Sequence, residues 1–269
     1  MITILRPLST SELLDRTFHL YRNNFVVFFA IVAIPQLAVL AMQLLFARTF
    51  LGDTPRTLGV FSIPLTIVIL ICVEISHAAT VFAVSNFHLD RPIRIGAAYS
   101  GVRSSILRVV GISLALYFIV GFGLILLLVP GIYWGLKYSL ATPITVLEGT
   151  GLSKTLGRSA DLTKGHRGRI FVTYLLLLIL NMVVSASIQF LFGLGLPFVR
   201  HAQTTFTATR FALTALSGFL TNSLVGPLLT IAFTLIYYDL RVRKEGFDLQ
   251  LMMTSLEASP QSAAAVPAS

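Results

Sequence analysis

Cysteine is almost missing from this chain. Of 269 residues only Cys72 carries a thiol, which excludes an intrachain disulfide and a zinc site built on cysteines. Charge is scarce too, since Asp, Glu, Lys and Arg together make up 12% of the sequence. Five long stretches hold none of these four residues: Asn23 to Ala47, Thr57 to Val73, Val109 to Leu136, Ile170 to Val199 and Phe211 to Tyr238. The motifs of soluble catalysis are absent as well, with no G-x-x-x-x-G-K-[ST], H-E-x-x-H, G-x-S-x-G or G-x-G-x-x-G anywhere. His19, His77, His88, His166 and His201 are scattered without metal-ligand spacing. The residues therefore point to no catalytic group, no metal and no cofactor, and to a chain that is not an enzyme.

What is present is apolar. Hydrophobic residues reach 55%, and the mean hydropathy is +0.85, outside the range of soluble domains. A hydrocarbon core about 30 Å thick takes roughly 20 apolar residues in helical form. The five uncharged stretches suit that length, and the lipid bilayer is the expected surrounding. A net charge of +9 would suggest nucleic acid in a soluble protein; here no nucleic-acid partner is expected, and the placement of the basic residues reports topology instead. Glu12 and Asp15 precede the first apolar run, so that run reads as a retained span and not a cleaved signal peptide.

The pattern predicts an all-α, polytopic membrane helix bundle of six transmembrane helices in three hairpins, within a single domain over residues 1–250. Spans are expected at about 25–47, 60–87, 107–129, 132–147, 170–192 and 211–238. The third uncharged stretch supplies two of them by folding back at the turn pair Pro130-Gly131. Residues 251–269, low in complexity, read as a disordered tail. Arg6, Arg16 and Arg22 precede the first span; Arg91, Arg94, Arg103 and Arg108 the third; Lys154, Arg158, Lys164, Arg167 and Arg169 the fifth; Arg241, Arg243 and Lys244 follow the sixth. The alternate connections hold only Arg48, Arg56, Arg200 and Arg210. That bias predicts a multi-pass protein of the cell membrane with both termini cytoplasmic.

A recurring unit follows from the same reading. Ser9 and Glu12 form a capping box ahead of a stripe at Leu14, Phe18, Tyr21 and Phe25, an amphipathic helix over residues 9–22. Ile95, Ala98, Val102, Ile106 and Val109 repeat the stripe before the third span, and Leu152, Leu156 and Ala160 before the fifth. Short amphipathic cytoplasmic helices are thus expected before spans 1, 3 and 5. Arg16, Arg94, Arg103, Lys154, Arg158, Arg241 and Arg243 are the candidate contacts to anionic lipid headgroups. The alternative to a triplicated unit is ordinary juxtamembrane charge. A protein partner or a second copy is also possible, with Gly131 and Gly135 in G-x-x-x-G spacing as the sequence feature on offer.

Glu74 interrupts a span about 14 residues from its start, roughly 21 Å at 1.5 Å per residue. A carboxylate there has to be paired, protonated or facing a wet cavity. His77 follows at i+3 and can share a proton with it, which suggests proton-coupled transport; the competing reading is a polar cluster that locks helix packing. Lys137 either snorkels to the interface or pairs with Glu74. Asn181, Ser185 and Gln189 form a polar stripe in the fifth span, faced by Thr214, Ser217, Thr221 and Asn222 in the sixth, either as interhelical glue or as the lining of a solute path. Glu74, His77, Lys137, Asn181 and Gln189 are the candidate intramembrane site. A lipid-headgroup enzyme would draw on His88, Asp90, Glu148, Asp161 and Asp239, which no spacing assembles.

Four stretches, RPLSTSELLDRTFHLYRNNF, LLLVPGIYWGLKYSLATPITVLEGTG, LSKTLGRSADLTKGHRGRIF and IYYDLRVRKEGFDL, resemble the membrane domain found beside some bacterial glycerophosphodiester phosphodiesterases, and related uncharacterised bacterial multi-pass proteins. The similarity covers roughly residues 5 to 250. It implies the bacterial inner membrane. It does not imply phosphodiesterase activity, because the catalytic barrel takes about 250 residues and only about 30 follow Tyr238. The expected function is a non-enzymatic membrane protein that organises lipid or partner proteins at the cytoplasmic face. The alternative is a small transporter or channel built on Glu74 and His77.

Overall fold

The structure is a computed structural model that describes residues 8–50, 55–88, 94–192 and 208–246. Ten α-helices and no strands occur among the described residues. The predicted tail over 251–269 lies outside them. The helices are α1 (Thr10–Asn23), α2 (Phe25–Phe50), α3 (Pro55–His88), α4 (Ile95–Val102), α5 (Ile106–Leu126), α6 (Leu128–Lys137), α7 (Ala141–Glu148), α8 (Leu152–Thr163), α9 (Arg167–Leu191) and α10 (Ala208–Glu245).

Five of these, within α2, α3, α5, α9 and α10, contain segments long and apolar enough to cross a membrane. Three short amphipathic helices, α1, α4 and α8, precede α2, α5 and α9. The start of α1 follows from its capping box: Ser9 Oγ accepts the Glu12 N–H at 3.2 Å, and the Glu12 carboxylate accepts the Ser9 N–H at 2.7 Å.

The expected fourth span, over 132–147, is not one helix. The chain leaves α5 at Leu127, in extended geometry with φ −163° and ψ 144°, and not at Pro130-Gly131. Pro130 instead sits in the first turn of α6, where its missing N–H would have no intrahelical partner anyway. Gly131 serves a different end: a Cβ there would lie 2.5 Å from the Leu124 side chain, so only glycine allows α6 to pass this close to α5. A second interruption follows at Tyr138–Leu140, between α6 and α7. Pro143 accounts for it, because in a continuous helix its ring would collide with the Ser139 carbonyl and leave that group unbonded. The segment therefore returns as two pieces, 10 and 8 residues long, each shorter than the roughly 20 residues a span requires.

Six chain positions meet at one end of the bundle. Leu8 donates its N–H to Asp239 at 2.7 Å, and His88 at the end of α3 stacks on Tyr238 with ring centroids 4.6 Å apart. Arg108 at the start of α5 donates to the Gly149 carbonyl at 2.6 Å. Gly149 terminates α7 with φ 64°, a left-handed cap that suits glycine. Tyr237 donates to Glu148 at 2.8 Å, and Arg169 at the start of α9 reaches Asp239 at 2.6 Å. The chain thus makes three excursions from this basic end, out and back. The buried core lies on the same side, where Leu13, Phe28, Ala79, Ile144, Leu162 and Ile231 pack together.

Two prolines in the long helices are met by tyrosines from the short ones. Pro35 has no N–H to offer the Ile31 carbonyl four residues earlier in α2. Tyr99 of α4 donates to that carbonyl at 2.5 Å. Near Pro227 in α10, Tyr21 of α1 donates to the Leu224 carbonyl at 2.6 Å. Tyr99 thus fastens α4 to α2 at the carbonyl that Pro35 leaves unbonded, and Tyr21 fastens α1 to α10 three residues before Pro227. Burial pushes both phenols up from their ordinary value of 10.0 to about 12.

Candidate functional site

Glu74 is 4% exposed and faces inward from α3. Ser113 of α5 donates to Glu74 Oε2 at 2.6 Å, and Tyr117, one turn later on the same face, donates to Oε1 at 2.7 Å. Both are short, as hydrogen bonds to a carboxylate are. His77 Nδ1 stands 4.0 Å from Oε1 and forms an ion pair only when its ring is protonated. The i, i+3 spacing on α3 and the i, i+4 spacing on α5 bring these four side chains to one place. They border a cavity of about 280 Å³ whose other walls come from α10, with Thr230 and Phe233, and from the junction of α6 and α7, with Ser139 in the break and Thr142 in the first turn of α7.

The other residues of the expected site lie elsewhere. Lys137 makes no ion pair with Glu74 among the described residues; its ammonium lies 5.0 Å from the centre of the Tyr138 ring. Its carbonyl accepts Ser159 and Thr163 of α8 at 3.0 and 3.1 Å. Asn181 and Gln189 are on the exposed side of α9, where Gln189 donates to Ser185 at 3.0 Å. Neither borders the Glu74 cavity. A second cavity, of about 230 Å³, lies between α2, α3 and α10 and is edged by Gln36, Gln43, Thr214 and Asn222.

The basic end divides the candidate lipid contacts into two groups. Arg158 reaches both Glu148, at 3.3 Å, and Glu245; the bond to Glu245 does most to hold its guanidinium above the ordinary value. Arg241 pairs with Glu245 at 3.1 Å. Arg243 pairs with Asp239 at 2.9 Å and also donates to the Leu8 carbonyl at 2.6 Å. These three charges are engaged inside the protein. Arg94, Arg103 and Lys154 are exposed, and none makes an ion pair among the described residues. Arg16 is half-buried, and burial lowers its affinity for a proton.

Sequence reasoning missed Ser113 and Tyr117 as partners of Glu74. It also treated Glu148 and Asp239 as isolated acids, although Asp239 joins Arg169 and Arg243, and Glu148 holds Arg158 and Tyr237. The 39 and 43 residues that separate Glu74 from its donors carry no periodic signal. Asp90 lies outside the described residues, and Asp161 is exposed and offers its carbonyl to Lys244. No group of three or more His, Cys, Asp or Glu suited to a metal ion occurs among the described residues. Compared with family models, curated proteins and solved structures, the chain matches none.

Proposed function

We propose that this chain is a non-enzymatic, six-pass integral membrane protein with both termini cytoplasmic, which gathers anionic lipid or a partner protein on its basic face. The observation that carries the reading is the bond between Leu8 and Asp239. With Leu8 and Asp239 at one end of the bundle, the number of crossings between them is even, so α6 and α7 together act as the fourth of six passes. The surplus of arginine and lysine at that end supports a cytoplasmic orientation. Arg94, Arg103 and Lys154 are the charges left over for headgroups or a partner. The stretches that resemble the phosphodiesterase-associated membrane domain contribute to this same end, through α1, α7, α8 and the last turns of α10, with α6 leading back to it. That resemblance, and with it a bacterial inner membrane, belongs to the same proposal.

Topology is tested in a Cys72→Ala background with Ser100→Cys or Ser153→Cys, using an impermeant thiol reagent on sealed vesicles. Both positions should react from the cytoplasmic side; reaction from opposite sides overturns the even count. The lipid role is tested by replacing Arg94, Arg103 and Lys154 with Gln and measuring phosphatidylglycerol retained through purification. Unchanged retention, together with an unchanged set of co-purifying proteins, rejects the gathering role.

A small transporter or channel is a second reading, favoured by the cavity beside Glu74 and the helix break that opens onto it. Solute flux in proteoliposomes that ignores Glu74→Gln removes it.

A further inference from the structure

The Glu74 carboxylate is a buried negative charge whose partners are hydroxyls. No Lys or Arg stands within ion-pair distance of it among the described residues, and the imidazole of His77 is at 4.0 Å. Each oxygen takes one short hydroxyl bond, which leaves further lone pairs free to accept. A buried carboxylate without a fixed cation has a large electrostatic incentive to take one up. Beside it lies a cavity of about 280 Å³, close to the size of small-ligand sites. Its walls are divided: hydroxyls of Ser139, Thr142 and Thr230 on one part, and apolar Val81, Leu229 and Phe233 on another.

The site also has an apolar approach. Tyr117, which holds Glu74, is 45% exposed, and its neighbours Leu114 and Phe118 are 45% and 71% exposed. This side of α5 belongs to the apolar outer surface of the bundle. A ligand that arrives there carries hydrocarbon, and one that finishes at Glu74 carries positive charge.

We propose that the chamber binds an amphiphilic amine drawn from the membrane, its ammonium on the Glu74 carboxylate and its hydrocarbon body against Val81, Leu229 and Phe233. The inference rests on the second reading above in using the same chamber, but binding is measured without flux.

Trp134, the only tryptophan in the chain, adjoins Gly135 of the chamber wall and supplies the readout. The full-length protein in nanodiscs of zwitterionic lipid is titrated with decylamine, decanol, decanoate and sodium chloride while Trp134 emission is followed. Decylamine should give a saturable change, decanol and decanoate only the linear response of partitioning, and Glu74→Gln should weaken decylamine binding at least tenfold. Gly135→Val is the second variant, since a Cβ at this position meets only Val120, at 3.9 Å, and fills space without removing the carboxylate. It should abolish the saturable phase. Equal responses to decylamine and decanol, a saturable response to sodium alone, or unchanged decylamine affinity in either variant overturns the proposal. Glu74-dependent flux of another solute without a saturable amine response overturns it too, while leaving the transport reading in place.

Discussion

The two halves of the bundle are built on different principles. At the basic end, α1, α4, α7 and α8 wrap the last turns of α3 and α10, and the contacts are long-range ion pairs and hydroxyl-to-carbonyl bonds. Away from that end, α5 and α9 present apolar side chains outward: Phe118 is 71% exposed, Ile125 84% and Leu191 81%. Only 17% of the apolar window of α9 is buried, against 61% for α10. The difference follows from what surrounds each half. Where lipid is the solvent, an exposed Leu costs nothing, and helices need not hide their apolar faces from it. Where water is the solvent, they must, and four short helices supply the cover.

The largest test of this contrast is Asp239→Ala. It strands Arg169, Arg243 and the Leu8 N–H together, and losing one partner of a buried ion pair costs about 3–5 kcal/mol. Thermal unfolding in detergent should show the loss, while Asp239→Asn, which keeps an acceptor for Leu8, should retain part of it. Next comes a matched pair of truncations. Ile231→Ala, at a site 0% exposed, should destabilise by about 2–5 kcal/mol, whereas Ile179→Ala, 49% exposed on α9, should stay within about 0.5 kcal/mol. Equal costs would erase the distinction between the covered α10 and the outward-facing α9.

Smaller is the loss on Tyr99→Phe, about 1–3 kcal/mol for a carbonyl left unbonded beside Pro35. A double-mutant cycle sharpens it: in Pro35→Ala the new N–H can serve Ile31, so removing the Tyr99 hydroxyl should then cost much less. Additive costs would detach the tyrosine from the proline. The smallest effect appears only in alkali. Tyr21 and Tyr99 hold their protons up to about 12 when folded, against 10.0 for an ordinary phenol. The stability they add is fully present below pH 10 and is lost as pH rises through 12. Tyr21→Phe with Tyr99→Phe should flatten that part of the pH curve; an unaltered curve would assign the alkaline loss to other groups.

Much of the helical inventory was legible in the residues, and the reasons are local. Ser9 and Glu12 mark the start of α1 because a capping box spans four positions. The uncharged runs mark the long helices because membrane residence is a property of composition. The break at Leu127 was not legible, since Pro130-Gly131 is an equally good turn pair on paper. What moves the turn is the close pass of Gly131 against Leu124, a tertiary contact. Asp239 shows the same limit: its bonds reach Leu8 across 231 positions and Arg169 across 70, and neither distance leaves a trace in periodicity.

The Leu8 to Asp239 bond also has a meaning in time. A ribosome delivers residue 8 long before residue 239, so every intervening helix must be inserted before this bond can form. Until the last helix arrives, the N–H and carbonyl of Leu8 lack the partners they have in the finished fold, Asp239 and Arg243. Closure thus reports on the chain in between: a product cut short before Asp239 cannot make either bond.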